Sequence, residues 1–259
     1  MIPLRDDNPT RIVPFVTYLI IAANLVIFLM EITGGIVEAP DRLAGSMAGW
    51  TMIPAELTQG RDYAINGETL RPFWLTIFTS MFMHGGWLHF LGNMLYLYIF
   101  GNNIEDCLGH VKFIVFYLVC GLIAALSQIF FKTDSVIPTL GASGAIAGVL
   151  GAYLVLFPTA RVNTLVFLGI FITSFRVPAF VLLGFWIVSQ FFSQWTESLK
   201  MQVTGEETGG VAYLAHIGGF IAGAILIKLF GGKPCPPDQA RYFPRRVEPH
   251  YITRYRDYR

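Results

Sequence analysis

Long apolar runs broken by short polar stretches dominate the chain, and run length carries more information than periodicity does. Pro14 to Ile32 has about the 20 residues a membrane-spanning helix needs and is expected to be a first span. The polar Met1 to Arg11 ahead of it has neither an apolar core nor a small-residue cleavage site, so the run reads as retained. Gly34 to Pro72 is a long mixed loop whose Trp50, Met52, Ile53, Phe73 and Trp74 suit the membrane interface, with room for short amphipathic helices. Gly86 to Asp106 reads as a second span despite His89, Asn93, Asn102 and Asn103, and Val111 to Phe131 as a third. Gly141 to Phe157 is a fourth, closed by Pro158 and Arg161. Val162 to Phe175 is apolar and rich in β-branched residues but too short to cross, so an interfacial or re-entrant segment is expected. Pro178 to Trp195 is a fifth span, Glu197 to Gly210 a polar loop, and Val211 to Phe230 a sixth.

Composition agrees with that pattern. Hydrophobic residues make up 54% and charged residues 14% of the 259, and the mean hydropathy is +0.56, far above what a soluble domain of this length needs. The expected fold class is therefore an all-α polytopic membrane protein with six transmembrane helices, embedded in a lipid bilayer. A net charge of +1 with basic residues gathered at the C-terminus argues against nucleic acid as a partner. Residues 1–13 are expected to be a cytoplasmic segment, 14–230 the six-span core, and 231–259 a proline- and arginine-rich flexible tail. With both termini cytoplasmic, that side collects Arg5, Arg11, Lys112, Arg161, Arg176, Lys228 and the arginines of the tail. The other side keeps Arg42, Arg61, Arg71, Lys132 and Lys200, the distribution the positive-inside rule favours, in a bacterial-type cell membrane. Cys107, Cys120 and Cys235 are too scattered for a disulfide framework or a metal cage, and all avoid the outer face, so no structural disulfide is expected.

In that topology the second, fourth and sixth spans run in the same direction, and each carries its unusual polar residues near its beginning. His89 and Asn93 open the second and, four apart, share a helix face. Ser143 opens the fourth within Gly141-Ala142-Ser143-Gly144-Ala145, where small neighbours leave its hydroxyl reachable beside backbone N–H groups. His216 lies about a turn and a half into the sixth, on the face of Ala212, Gly219 and Gly223. The Gly148 and Gly151 face of the fourth span is the natural partner of that face, because small residues let membrane helices touch backbone to backbone. Such packing would bring His216 to Ser143. A neutral histidine within hydrogen-bond reach takes the proton of an attacking serine. The backbone N–H of Ser143, the Asn93 amide and His89 are the candidate donors to the developing oxyanion. No acidic residue lies at that depth, so the expected unit is a dyad. The competing explanation for each residue alone is structural: helix packing for the glycines, interhelical hydrogen bonding for the asparagine and histidines. Four such residues at one depth favour a functional site, since ionisable groups inside a membrane rarely lack a role.

Gly141-Ala142-Ser143-Gly144, Ala215-His216-Ile217-Gly218-Gly219, and His84-Gly85-Gly86-Trp87-Leu88-His89 with Asn93 resemble, in order, the signature regions of rhomboid intramembrane serine proteases. The resemblance covers about Pro14 to Phe230. It implies a six-helix rhomboid-like bundle, Ser143 as nucleophile, His216 as general base, His89 and Asn93 as oxyanion contributors, and Gly141, Gly144 and a structural His84 in support. Glu105, with Gly101 and Gly109 around it, resembles the acidic residue such proteins keep near the inner end of the second span. The Trp-Arg pair common in the first loop of the family is absent: counting back from His84 gives Leu75 and Thr76 at those positions, with Trp74 and Arg71 out of register.

The implied activity is hydrolysis of a peptide bond in or beside a transmembrane helix of a single-span or polytopic membrane protein, with no metal and no cofactor. A non-catalytic relative that escorts membrane clients is the alternative, but such relatives typically lack the serine or the histidine. A proton or solute carrier would want carboxylates within the spans, whereas Glu31 and Glu105 sit at span ends. A metal site is weaker still, because His84 and His89 are not spaced to share a helix face.

Overall fold

Every run expected to form a span is helical in the computed structural model, which describes residues 1–33, 48–63, 72–168, 171–205, 207 and 209–234. Helix α1 is Phe15–Thr33. The first loop holds the short α2 (Pro54–Gln59) and α3 (Thr76–Thr79), the latter flanked by 3₁₀ turns. Helix α4 (Trp87–Tyr96) passes through a π-helical turn, Leu97–Gly101, into α5 (Asn102–Leu108). Then follow α6 (His110–Phe131), α7 (Ser143–Leu156), α8 (Ala179–Thr204) and α9 (Tyr213–Leu229). Helices α1, α6 and α8 are long and apolar enough to cross a membrane, while α7 and α9 are shorter apolar helices. Large side chains such as Leu19, Phe130, Phe185 and Val188 are exposed, as a lipid-facing surface requires.

Two expectations change. Val162 to Phe175, expected as an interfacial or re-entrant segment, forms most of a hairpin, β2 (Arg161–Leu168) antiparallel to β3 (Phe171–Pro178). The N-terminal Ile2–Asp6, β1, adds to β2, giving the order β1-β2-β3, so the protein is mostly helical rather than all-α. The reason is in the residues: β-branched Val162, Thr164 and Val166 favour strands, and strand pairing satisfies backbone groups that a run too short to span would leave open. The polar loop also begins later than expected, because α8 continues to Thr204 before Gly205 ends it with φ 70°. The expectation that no structural disulfide forms involves Cys235, which lies outside the described residues. Cys120 is free and buried. Arg42 and Arg71 of the first loop and the tail from 235 lie outside the described residues.

Helices α7 and α9 form the centre. A Cβ on Gly219 would collide with the carbonyl of Gly144, one on Gly223 with the carbonyl of Gly148, and one on Gly151 with the carbonyl of Phe220. Small residues on both helices therefore set the distance between them. Around this pair, Phe113, Phe116, Tyr117 and Cys120 of α6 and Tyr153 of α7 are fully buried.

The sheet anchors at the far ends of α5 and α7. Asp6 Oδ2 accepts hydrogen bonds from Asn103 Nδ2 (2.8 Å) and Tyr153 Oη (2.7 Å), and Arg11 Nε pairs with Asp106 at 3.1 Å. Burial pushes the Asp6 carboxyl up to about 6, against the lowering effect of its two side-chain donors. The folded state therefore favours the neutral acid. Stability contributed by that form is present near pH 4 and is lost as pH rises through about 6. Asp6→Asn removes the titration and keeps an acceptor. Its melting temperature relative to wild type is expected to rise by a few degrees between about pH 4.5 and about pH 7. A difference that stays constant over that range would contradict the assignment.

Candidate active site

Ser143 is the first residue of α7, so its N–H belongs to the helix terminus that has no intrahelical acceptor. The approach to it depends on Gly141, which sits at φ 126°, a region closed to most side chains, with its N–H bonded to the Ser80 carbonyl at 2.8 Å. A Cβ there would lie 2.7 Å from His89 Nε2 and 3.5 Å from Ser143 Oγ. Gly141 thus lets the chain turn and lets the imidazole of His89 lie against the backbone two residues before the serine. Gly144 has a packing role, since a Cβ would come within 2.7 Å of Ala124 Cβ on α6.

His216 stands about one turn into α9, with 8% of its surface exposed. Its Nε2 is 2.7 Å from Ser143 Oγ, and its Nδ1 is 2.8 Å from Gln190 Oε1 on α8. The ring of Trp186, one turn before Gln190, lies against the imidazole at 5.7 Å between centroids and 33° between planes. Neither α8 residue was singled out from sequence. Gln190 carried a usable signal, a polar side chain within an apolar run, whereas Trp186 looks like any membrane aromatic.

The remaining residues gather from α4. His89 Nδ1 accepts the Gly85 N–H at 3.4 Å, which puts the ring proton on Nε2, the nitrogen facing Gly141. Asn93 is buried, and its Nδ2 has no hydrogen-bond partner among the described residues. A buried donor left in that state is costly unless something reaching the site takes it up. His89, Asn93, Ser143 and His216 line one cavity of about 660 Å³, with Trp186 beside them. His84 is set apart from it: 2% exposed, it packs edge-on against Phe28, Phe90 and His89, and its backbone N–H donates to the Glu31 carboxylate.

Glu105 lies at the other end of the helices. Its carboxylate accepts the Val16 and Thr17 N–H groups and the Thr17 hydroxyl, and His110 Nδ1 lies 2.5 Å away. It ties α5 to the start of α1 and is remote from the serine. Among the described residues no group of three or more His, Cys, Asp or Glu is placed to hold a metal.

The rhomboid domain family model matches residues 71–233, more than half of the chain. The chain belongs to the rhomboid family, a class of polytopic membrane proteins that includes proteases. It is 29% identical over 211 residues to the protein named Rhomboid protease GluP of Bacillus subtilis, which covers 81% of this chain and 34% of that one. It is 28% identical over 180 residues to Rhomboid protein 1, mitochondrial, of Saccharomyces cerevisiae, covering 68% and 45% respectively. Over a shorter stretch of 89 residues it is 32% identical to the Putative rhomboid protease YdcA of Bacillus subtilis. The chain thus spans well under two thirds of the length of the first two relatives.

Replacing Gly141 with alanine combines a disfavoured φ with a collision against His89, and a loss of about 1–3 kcal/mol is expected. Gly184→Ala, within α8 where an added Cβ would meet no neighbouring group within 4 Å, is the matched control and should be neutral or stabilising by up to about 1 kcal/mol. Thermal unfolding of both variants in detergent checks this, and equal stabilities would contradict the role given to Gly141.

Proposed function

We propose that this chain is an intramembrane serine endopeptidase with Ser143 as nucleophile and His216 as general base. The observation that carries the reading is the 2.7 Å hydrogen bond between Ser143 Oγ and His216 Nε2 inside a cavity that also holds a buried amide donor with no partner among the described residues. As Oγ attacks the scissile carbonyl, its proton passes to Nε2, and the carbonyl oxygen becomes an oxyanion. The Ser143 N–H, Asn93 Nδ2 and His89 Nε2–H are its donors, fixed beforehand by the helix terminus, by α4 and by the Gly85 contact. The tetrahedral species collapses as His216 returns the proton to the leaving amine, leaving an acyl ester on Ser143 that water hydrolyses by the same route. Gly141 and Gly144 support the arrangement as described, and His84 holds the segment ahead of α4.

In this reading the protein crosses the membrane six times, with α4 and α5 joined as the second span, both termini cytoplasmic, the core at 14–230, and a basic tail from 231. In that orientation the site lies below the outer surface, and the sheet lies on the cytoplasmic side with Arg5, Arg161 and Arg176. The carrier reading loses support, because Glu31 and Glu105 are both engaged by protein donors. Substrates are membrane proteins with a span that can be opened. A helical carbonyl is protected by its own hydrogen bond, and exposing it in hydrocarbon costs several kcal/mol, so cleavage belongs near the outer end of a substrate span. A small residue such as alanine at the cut, with glycine or proline deeper in the span, fits the restricted backbone room.

Ser143→Ala and His216→Ala are each expected to abolish cleavage of a reporter membrane substrate while the protein still inserts, because they act as one proton-transfer unit. Full activity in either inserted variant would overturn the dyad. An inserted wild type that cleaves nothing would favour the non-catalytic, client-binding alternative. Asn93→Ala should lower turnover by about 10²-fold to 10³-fold, the usual worth of one oxyanion donor. Turnover within about a factor of two of wild type would remove Asn93 from the site.

A further inference from the structure

The dyad has a third partner that no acidic residue supplies. We propose that Gln190 is the positioning residue of the proteolytic unit, holding His216 in the tautomer whose Nε2 lone pair faces the Ser143 hydroxyl. The inference rests on the peptidase reading given above.

The argument starts with the orientation of the amide. Gln190 is buried, and its Nε2 donates to Ser189 Oγ at 3.1 Å and to the Trp186 carbonyl at 3.4 Å. Ser189 Oγ spends its own proton on that same Trp186 carbonyl at 2.6 Å, so it meets the amide nitrogen as an acceptor. Both partners of the nitrogen are therefore acceptors, and the carbonyl end of the amide must be the one directed at His216. Oε1, 2.8 Å from Nδ1, has only lone pairs to offer, which places the ring proton on Nδ1. A neutral imidazole with Nδ1 protonated carries its lone pair on Nε2, the atom 2.7 Å from Ser143 Oγ. The chain Trp186 carbonyl, Ser189, Gln190, His216, Ser143 therefore has one consistent direction of proton donation.

Helix α8 presents this support as a unit. Trp186 and Gln190 are four apart on one face, so the helix that offers the acceptor also lays an indole against the ring it orients. When His216 gains the serine proton, the amide oxygen remains a suitable acceptor for Nδ1–H and stabilises the imidazolium by its dipole. An amide does this without the desolvation cost that an ionised carboxylate would carry in a buried, apolar position.

The test compares Gln190→Met, which keeps length and volume but accepts no strong hydrogen bond, with Gln190→Glu, which keeps an acceptor of the same reach. The full chain is reconstituted in proteoliposomes, and cleavage of a reporter membrane substrate is measured together with thermal stability. Gln190→Met is expected to lose on the order of 10-fold to 10²-fold in kcat, with KM within about a factor of two, while Gln190→Glu recovers to within about fivefold of wild type. Unchanged kcat in Gln190→Met, beside an active wild type, would overturn the role of Gln190 and leave the peptidase reading intact. Equal losses in both variants that track lowered melting temperatures would also overturn it, because a structural role is blind to the acceptor. A wild type without activity would remove the peptidase reading and this inference together.

Discussion

Everything at the site follows from how closely α7 and α9 approach one another. The carbonyls of Gly144 and Gly148 occupy the space where side chains on Gly219 and Gly223 would stand, and Gly151 is open to the Phe220 carbonyl in the same way. In lipid there is little hydrophobic gain from burying one apolar helix against another, so close van der Waals contact has to hold the pair. That contact also sets the chemistry. Ser143 begins one helix and His216 lies near the beginning of the other, and only backbone-to-backbone packing lets a short serine side chain meet an imidazole at 2.7 Å.

Polar groups inside such a bundle are tolerable only with partners, and most have them. Asp6 is met by Asn103 and Tyr153, Glu105 by the start of α1, and His216 by Ser143 and Gln190. The two ends of the bundle differ in what this accomplishes. At the sheet end, the hydrogen bonds of Asp6 with Asn103 and Tyr153 lock the N-terminal strand onto α5 and α7, and Arg11 pairs with Asp106 beside it. At the serine end, Asn93 Nδ2 lines the cavity with no partner among the described residues, which is the condition expected of a donor kept for a charge that appears during reaction.

Much of this was legible in the sequence because membrane helices are constrained by length. The runs Pro14 to Ile32, Val111 to Phe131 and Val211 to Phe230 match α1, α6 and α9 to within a few residues. Glycines at helical spacing pointed to the α7–α9 contact, and polar residues at the starts of three runs pointed to one depth. The sheet was not legible, because Ile2 to Asp6 has no apolar alternation to mark a strand and its partner lies more than 150 residues away in the chain. Short apolar runs are ambiguous between helix and strand, and the stretch Val162 to Phe175 pairs mostly with itself as a hairpin, with Val162 to Leu165 also paired to that distant segment. Gln190 escaped because attention to ionisable residues looks for a carboxylate behind a histidine, while a buried site is served as well by a neutral amide.

The central claim is that Ser143 is an activated nucleophile because His216 accepts its proton. Its most direct measurement is covalent capture by a fluorophosphonate probe in the membrane-embedded protein, with the adduct located by mass spectrometry. The account predicts a single phosphonylated residue, Ser143, and loss of the adduct in His216→Ala. An adduct on another serine, or Ser143 labelled equally well without His216, would contradict it.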